Sequence, residues 1–288
     1  MSAIDIKEEF LHVNNCRLRY LTGGAGPPMV LVHGLLGYSF CFRHNLPALA
    51  QSATVYAVDL PGGGFSERPA VVKADLRTIA ETLLDFAKQL DLKKPTLLGS
   101  SHGGAVVLMA AGLGARRGLT LGPMILVAPV NPWSRNGRRR VKFAASAAGS
   151  AMLRCVAPCL GPLHGYFLQR MYGDPARLTK NAITGYSRGI RQPGTMAHLL
   201  GRLKHWNEDL QLLERALPAC ANVPTLLIWG ERDGAVDPAS ASELLRRLPK
   251  AELAMMRGTG HLPFEEQPEE FNQLVLNFLA RQRAGDYS

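Results

Sequence analysis

The chain has 288 residues, of which 47% are hydrophobic and 19% charged, with a formal net charge of +10 and a mean hydropathy of −0.01. This composition excludes a disordered chain, a coiled coil and a collagen-like fibre, and the length suits one large domain or one domain with an insertion. No apolar run reaches the roughly 18–20 residues that span a bilayer, and no secretory signal opens the chain, so we expect a cytoplasmic protein.

The chain opens on two short segments that we expect to pair as an antiparallel hairpin. They are Phe10–Val13 and Arg17–Leu21, joined by an Asn14-Asn15 turn. Continuous apolar runs bounded by glycine or proline follow at Met29–His33, Thr54–Asp59, Thr96–Gly99, Met124–Ala128 and Thr225–Trp229. Continuous rather than alternating hydrophobicity is typical of strands covered on both faces, as in a parallel sheet.

Helical patterns separate most of these strands. They are Leu76–Leu90, Gly103–Ala111, Pro238–Leu248 and Pro268–Arg281. In the first pattern, apolar residues recur three and four positions apart and therefore fall on one face. Strands that alternate with helices predict an α/β fold with a mostly parallel, doubly wound sheet.

The alternation stops between residues 131 and 216. This segment has no convincing strand and holds 14 basic against 4 acidic residues. The rest of the chain holds 19 of each, so the whole charge excess lies in this segment. We therefore predict a helical cap at residues 131–216, inserted into a core formed by residues 1–130 and 217–288.

The basic segment bears on the partners that we expect. A nucleic-acid surface usually interleaves aromatic with basic side chains, and aromatic residues are sparse here, so we expect no nucleic acid. The simplest interpretation is a solvated basic face. The alternatives are attraction of an anionic substrate and peripheral contact with an anionic membrane, centred on Arg138, Arg139, Arg140 and Lys142.

The cysteines show neither a disulfide nor a metal pattern. They are Cys16, Cys41, Cys155, Cys159 and Cys220. No pair has CxxC spacing, and the two that stand four residues apart lack further ligands, because His164 is a poor third candidate. We expect small buried apolar side chains and assign neither a metal nor a cofactor.

The strongest motif is Gly99-Ser100-Ser101-His102-Gly103, which ends a predicted strand and begins a predicted helix. A nucleophilic serine on a tight strand-to-helix turn needs glycine two residues before and two after it. Only the register centred on Ser101 provides both, because Ser100 would place Leu98 and His102 at the glycine positions. We expect Ser101 to be a nucleophile with a strained backbone; the alternative is a glycine-rich helix start with an incidental serine.

A serine hydroxyl becomes nucleophilic when a base takes its proton and a carboxylate orients that base. His261 lies in a glycine-bracketed loop after a predicted final strand, Glu252–Met256, from which it can reach the carboxyl edge of the sheet. The carboxylate candidate is Asp233, just beyond the strand Thr225–Trp229. Its nearest rival, Asp237, precedes a proline and better suits a helix N-cap.

Acyl transfer also needs donors for the oxyanion that forms at the substrate carbonyl. The residue after the nucleophile, His102, supplies one backbone N–H. The second is expected from Leu35, in a loop where Gly34 lets the backbone turn. We expect His33 and Asp59 to be structural, with an acid-base role for His33 as the alternative.

Five motifs recur in one order: His33-Gly34, Asp59-Leu60-Pro61-Gly62, Gly99 to Gly103, Trp229-Gly230-Glu231-Arg232-Asp233 and Gly260-His261. With them the chain resembles the α/β-hydrolase fold superfamily, specifically its capped, esterase-like serine hydrolases, over nearly the whole length outside the cap. The resemblance implies Ser101 as nucleophile, Asp233 as orienting acid and His261 as base. It also implies an oxyanion hole at the backbones of Leu35 and His102. Serine at the elbow departs from similar dehalogenases and epoxide hydrolases, which carry aspartate there.

We expect a serine hydrolase that cleaves small carboxylic esters through an acyl-enzyme. The alternatives are a carbon–carbon bond hydrolase, a perhydrolase or an acyltransferase on the same triad, and a slow-turnover ligand sensor. A basic cap favours an acyl substrate that carries an anionic group. Eight apolar cap residues are candidates for the wall of the acyl pocket, although packing within the cap is the expected role of any single one: Trp133, Phe143, Met152, Phe167, Met171, Tyr172, Tyr186 and Trp206.

Overall fold

The computed structural model describes residues 4–69, 74–156 and 160–285. The eight strands found in these ranges form one sheet. They are β1 Lys7–Val13, β2 Cys16–Gly23, β3 Pro28–Val32, β4 Thr54–Val58, β5 Thr96–Ser100, β6 Met124–Val127, β7 Thr225–Gly230 and β8 Ala251–Met256. Their order across the sheet is β1-β2-β4-β3-β5-β6-β7-β8. The β1–β2 and β2–β4 pairs are antiparallel and the other pairs parallel.

The helices of the described residues are α1 Leu46–Leu49, α2 Leu76–Gln89, α3 His102–Arg116, α4 Arg138–Ala145, α5 Ala147–Val156, α6 Leu160–Gln169, α7 Lys180–Ile190, α8 Thr195–Ala216, α9 Ala241–Arg247, α10 Pro263–Glu266 and α11 Pro268–Gly285. The single helix expected at Pro238–Leu248 is wrong at its start. A 3-10 turn, Pro238–Ser240, precedes α9 because the Asp237 side chain accepts from the Ala239 N–H. Asp237 is thus an N-cap, as expected.

The inner strands are covered on both faces. Along β3, Val30 and Val32 pack into one apolar cluster with α2 and α3, whereas Met29 and Leu31 pack into another with α1 and α11. Strands β5, β6 and β7 are buried at every residue. This confirms the mostly parallel, doubly wound α/β sheet, whose continuous apolar runs result from the two covering layers.

The first two strands form the expected antiparallel hairpin. Val13 pairs with Cys16, so the two-residue turn is Asn14-Asn15. Both asparagines have positive φ, 49° and 61°. This backbone conformation matches the right-handed twist of paired strands and is one that asparagine tolerates well.

Helices α4–α8 lie between β6 and β7 in the chain, and we call them the cap helices. Among residues 131–156 and 160–216, none belongs to a strand. The boundaries 131 and 216 remain a proposal for where a cap begins and ends. Searched over the described parts of the chain, no helix combines the length and apolarity that crossing a bilayer requires.

The cysteines are only partly as expected. Cys16, Cys41 and Cys220 are buried, which agrees with the expectation. Cys155 is exposed, so the expectation is wrong there. The reason is that α5 lies at the surface of the cap helices, with most of its visible residues exposed. Cys159 lies outside the described residues.

Candidate active site

Ser101 lies on the turn between β5 and α3. Its backbone has φ 54° and ψ −120°, a conformation that side-chain-bearing residues rarely adopt. Hydrogen bonds hold this conformation: Ser101 N–H donates to Val127 O at 2.8 Å, and Ser101 O accepts from Gly104 N–H at 3.0 Å. The strained elbow expected from the motif is therefore present.

The elbow needs glycine at the two positions that the motif predicts. A Cβ on Gly99 would lie 2.4 Å from the carbonyl oxygen of Gly103. A Cβ on Gly103 would lie 2.3 Å from the carbonyl oxygen of Val32. Both obstructing atoms belong to the backbone, one in the first turn of α3 and the other in β3. They therefore cannot move aside as a flexible side chain can.

Asp233 follows β7 and holds the imidazole of His261. Its Oδ1 accepts from the N–H groups of Ala235 and Val236 at 2.8 and 3.0 Å. Its Oδ2 accepts from His261 Nδ1 at 2.8 Å, and the carboxylate is fully buried. Because Nδ1 carries the shared proton, the tautomer is set and Nε2 can accept a proton from another group.

Ser101 and His261 line the same cavity, whose volume is about 360 Å³. Within the described residues, no hydrogen bond joins Ser101 Oγ to His261 Nε2. Hydroxyl–imidazole contacts of this kind are often long before a substrate binds. The structure thus joins Asp233 to His261 by a hydrogen bond. Ser101 lies on the wall of the same cavity as the His261 imidazole.

The two N–H groups expected to bind an oxyanion are those of Leu35 and His102. Neither donates to another atom in the described part of the chain. The loop after β3 lies against the elbow, since a Cβ on Gly34 would be 3.0 Å from Ser101 Cβ. Gly34 begins the turn of this loop, where its carbonyl oxygen accepts from Gly37 N–H at 3.2 Å, whereas the positive φ, 58°, belongs to Leu36. Gly34 is needed for its small size beside the serine.

His33 and Asp59 have structural roles, as expected. His33 Nδ1–H donates to Gly34 O at 2.8 Å, and its Nε2 accepts from Leu60 N–H at 2.9 Å. Burial lowers the pKa of His33 to about 4, so the ring stays neutral and joins the loop after β3 to the chain after β4. The buried Asp59 accepts from Arg19 Nη1 at 3.1 Å.

The side chain of His102 points away from the elbow serine. Its ring is buried and stacks on Trp206 of α8, with the ring centres 6.1 Å apart. Burial, and then the charge of Arg202, lowers the pKa of His102 well below its ordinary value. The ring therefore remains neutral and packs against the cap helices.

Half of the expected pocket residues line the cavity: Phe167, Met171, Tyr186 and Trp206. The other four candidates do not line it. Trp133 packs beneath the guanidinium of Arg247, and the hydroxyl of Tyr172 donates to Glu265. Phe143 and Met152 are half exposed on the outer surface of α4 and α5. Hydropathy identifies the apolar residues of the cap, but the orientation of each helix determines which of them face the cavity.

Comparison with known proteins identifies the family. A model of the alpha/beta hydrolase family matches residues 29–274. The chain belongs to the alpha/beta hydrolase family. The resemblance drawn from the five motifs is therefore confirmed at the level of the superfamily and its fold.

Relatives of this alpha/beta hydrolase carry several activities. It is 32% identical over 264 residues to the dihydrolipoyllysine-residue acetyltransferase component of the acetoin cleaving system of Pseudomonas putida, a match that covers 91% of this chain and 65% of that one. It is 31% identical over 266 residues to the magnesium-chelatase 30 kDa subunit of Rhodobacter capsulatus, covering 90% and 89%. The solved epoxide hydrolase CorEH superposes with a TM-score of 0.83 at 21% identity, covering 96% and 100%, and so shares the fold.

In this alpha/beta hydrolase, sequence reasoning missed Glu266. Its carboxylate accepts from Gly260 N–H at 2.6 Å, Gly173 N–H at 2.9 Å and Asp174 N–H at 3.2 Å. Glu266 therefore joins the loop that carries His261 to the chain between α6 and α7. The signal in the sequence is a pair of glutamates at a helix start, which alone gives no hint of partners about ninety residues away.

Glu265 was missed for the same reason. It is buried and forms two hydrogen bonds with the Arg43 guanidinium, at 2.5 and 2.7 Å. It also accepts from the hydroxyls of Tyr186 and Tyr172, at 2.7 and 3.2 Å. Burial, with the adjacent carboxylate, raises the pKa of Tyr186 well above its ordinary value. Glu265 thus ties α7 to the residues next to the candidate base.

Proposed function

We propose that the protein is a serine hydrolase of carboxylic esters, with Ser101 as nucleophile, His261 as base and Asp233 as orienting acid. The observation that carries this proposal is the buried 2.8 Å hydrogen bond between Asp233 and His261, beside a cavity that Ser101 also lines from a strained elbow. A buried carboxylate that fixes an imidazole next to a serine is the arrangement that activates a hydroxyl.

The proposed reaction has two halves. Ser101 Oγ bonds to the ester carbonyl carbon while its proton passes to His261 Nε2, and the N–H groups of Leu35 and His102 donate to the resulting oxyanion. His261 then gives the proton to the leaving alcohol as the ester C–O bond breaks. Water, losing a proton to His261, attacks the acyl-enzyme, and the acid leaves as the serine regains its proton.

The cavity supports a small substrate with an apolar acyl group. Its volume of about 360 Å³ lies within the usual range for small-molecule sites. Phe167 and Trp206 of the cap helices and Met171 of the turn after α6 give it apolar walls. We therefore assign substrate selection to the proposed cap, residues 131–216. Action in the cytoplasm remains a prediction.

A fluorophosphonate probe tests the class of enzyme. We expect the wild-type protein to be labelled at Ser101 and Ser101→Ala to lose both labelling and turnover of a para-nitrophenyl ester, the latter by about 10⁴-fold or more. The matched control is Ser100→Ala, which removes the neighbouring hydroxyl and should keep labelling. Labelling of Ser101→Ala at the wild-type rate would refute the assignment.

A second reaction on the same residues is favoured by one observation. Among the described residues that line the cavity, Arg138 is the one arginine or lysine, and lining carboxylates are absent from that set. A substrate with a carboxylate, such as a keto acid whose carbon–carbon bond is cleaved, would suit this charge. Comparing simple esters with dienoic keto acids decides between the two, and rapid multiple turnover on either contradicts a slow ligand sensor.

A further inference from the structure

Three cap helices carry an unusual share of exposed apolar surface. Among the described residues, the four most exposed large apolar side chains are Phe143, Met152, Tyr166 and Phe167, each 48–53% exposed. The next, Met255 on β8, is 43% exposed. All four lie on α4, α5 and α6, which follow one another along the chain. Apolar side chains concentrated in one part of a surface mark a site of contact with an apolar partner.

The same part of the chain is strongly basic. Residues 131–173 contain seven basic residues and no acidic residue. In the described part of the structure, no ion pair forms at Arg135, Arg138, Arg140, Lys142, Arg154 or Arg170. Their charges are therefore not neutralised within the protein and favour a negatively charged partner.

The end of α6 combines both properties at short range. The rings of Tyr166 and Phe167 meet edge to face, with their centres 5.8 Å apart. The guanidinium of Arg170 lies over the Tyr166 ring, 4.9 Å from its centre. An aromatic body with a polar hydroxyl and an adjoining cation suits the boundary between lipid headgroups and acyl chains.

This surface is continuous with the wall of the candidate active site. Val141 of α4 and Phe167 of α6 both line the cavity that contains Ser101 and His261. Phe167 is at the same time half exposed, so one side chain faces both the cavity and the outside. An apolar molecule that leaves a bilayer at α4–α6 would thus meet an apolar cavity wall directly.

We propose that α4, α5 and α6 dock on the surface of an anionic lipid bilayer and that the cavity takes its ester substrate from that bilayer. A bilayer offers negative headgroups and an apolar layer together, whereas a nucleic acid offers no apolar layer to Phe143 and Met152. The delivery of substrate rests on the proposed function. The docking does not, because it needs only the surface.

Sedimentation with vesicles tests the electrostatic part. We expect the wild-type protein to bind vesicles of phosphatidylcholine mixed with phosphatidylserine, and to bind pure phosphatidylcholine much more weakly. The triple variant Arg140→Glu, Lys142→Glu, Arg154→Glu changes three exposed residues that do not line the cavity. Each basic residue near such a surface contributes about 1 kcal/mol, so binding should weaken by roughly 100-fold or more.

A matched triple variant controls for net charge. Lys7→Glu, Lys250→Glu and Arg257→Glu produce the same change on exposed residues of the core and should keep wild-type binding. The apolar part is tested by Phe143→Ser with Met152→Ser, which should lower binding at least about tenfold. Its control is Phe10→Ser with Met255→Ser, where the side chains are also exposed but lie on β1 and β8.

The outcomes separate docking from catalysis. Ser101→Ala should bind vesicles like the wild type, and the basic-residue triple should keep its turnover of a water-soluble ester but lose turnover of an ester dissolved in the anionic vesicles. If the wild type binds vesicles but turns over no ester, the proposed function is refuted and the docking proposal stands. Unchanged turnover of the dissolved ester in the triple would refute delivery from the bilayer.

Four results would overturn the docking itself. The first is absence of wild-type binding to the anionic vesicles, and the second is equal binding by the wild type and the basic-residue triple. The third is a dimer, seen by analytical ultracentrifugation without vesicle binding, that the Phe143→Ser, Met152→Ser variant abolishes. That result would assign the surface to a second copy of this chain. Binding of a nucleic acid duplex in place of the vesicles would likewise overturn it.

Discussion

The sheet core and the cap helices differ in how they hold the side chains that face the cavity. In the core, Ser101 and Asp233 lie directly after buried strands, and backbone hydrogen bonds fix their positions. In the cap helices, Phe167 and Trp206 project from α6 and α8, and polar contacts of Glu265 and Glu266 join α7 and the chain between α6 and α7 to the core. The positions of the candidate catalytic side chains therefore depend on the backbone, whereas the shape of the pocket depends on contacts between distant segments.

The two regions also differ in what they leave at the surface. Every residue of β5, β6 and β7 is buried, so hydrophobic burial stabilises the core continuously. In contrast, α4, α5 and α6 expose large apolar side chains and, among the residues that the structure describes, basic side chains that form no ion pair. This difference supports the proposal that the outer surface of the cap helices contacts a partner.

The largest effect is expected from Asp233→Asn, which changes the core side of this comparison. The amide cannot hold the proton on His261 Nδ1, so the imidazole takes the wrong tautomer and kcat should fall by about 10⁴-fold with the fold retained. Turnover of a para-nitrophenyl ester and circular dichroism measure both. The control is Asp237→Asn, four residues away, which should keep activity. A wild-type kcat in Asp233→Asn would contradict the role of the carboxylate.

A smaller effect is expected from Glu265→Gln, which weakens the polar contacts between the sheet core and the cap helices. Removing the charge leaves Arg43 without its buried partner, and breaking such a pair typically costs about 3–5 kcal/mol of unfolding free energy. Urea unfolding measures this loss, and hydrogen exchange should show faster opening of residues 171–190 than of the sheet. The exposed Glu269→Gln should change stability by less than about 0.5 kcal/mol. Equal stability of both variants would show that these contacts are dispensable.

The smallest effect is expected from Asp209→Asn, on α8 where it packs on α2. Burial raises the pKa of Asp209 from 3.8 to about 6, so the folded protein disfavours its charged form. Below about pH 4 the group is protonated in both the folded and unfolded states and costs nothing. As the pH rises through 6, the free energy of unfolding falls. The reason is that the unfolded state ionises this carboxyl freely, whereas the folded state must either ionise it while it is buried or keep its proton.

The amide variant should therefore be more stable than the wild type at pH 8, by about 2 kcal/mol, and equally stable at pH 4. Urea unfolding at several pH values measures this difference. Glu208→Gln, which changes the exposed neighbour, should show no such pH dependence. A gain that is the same at pH 4 and pH 8 would exclude ionisation of Asp209 as its cause.

Local patterns predicted the features that the backbone determines. The apolar runs predicted the parallel strands, because a strand covered on both faces must be apolar at successive positions. Gly99 and Gly103 predicted the elbow, since a Cβ at either position meets backbone atoms. The pairing of Asp233 with His261 followed from their places after neighbouring strands, β7 and β8. In each case the informative residues lie within a few positions of the feature.

Contacts between distant segments were not predicted. Glu266 meets Gly173, and His102 stacks on Trp206, across separations of about a hundred residues that no local pattern records. The same limit explains why Phe143 was a candidate for the pocket although it is exposed. Its hydropathy is equally consistent with either place, and only the orientation of α4 decides between them.

The amino-acid sequence alone determined the sheet, the elbow and the three candidate catalytic side chains, because strand patterning and steric limits on the backbone act over a few residues. The tertiary structure alone decided which cap residues face the cavity, which face outward, and how Glu265 and Glu266 join the two regions. These depend on the packing of helices against one another, and packing is a property of surfaces assembled from the whole chain.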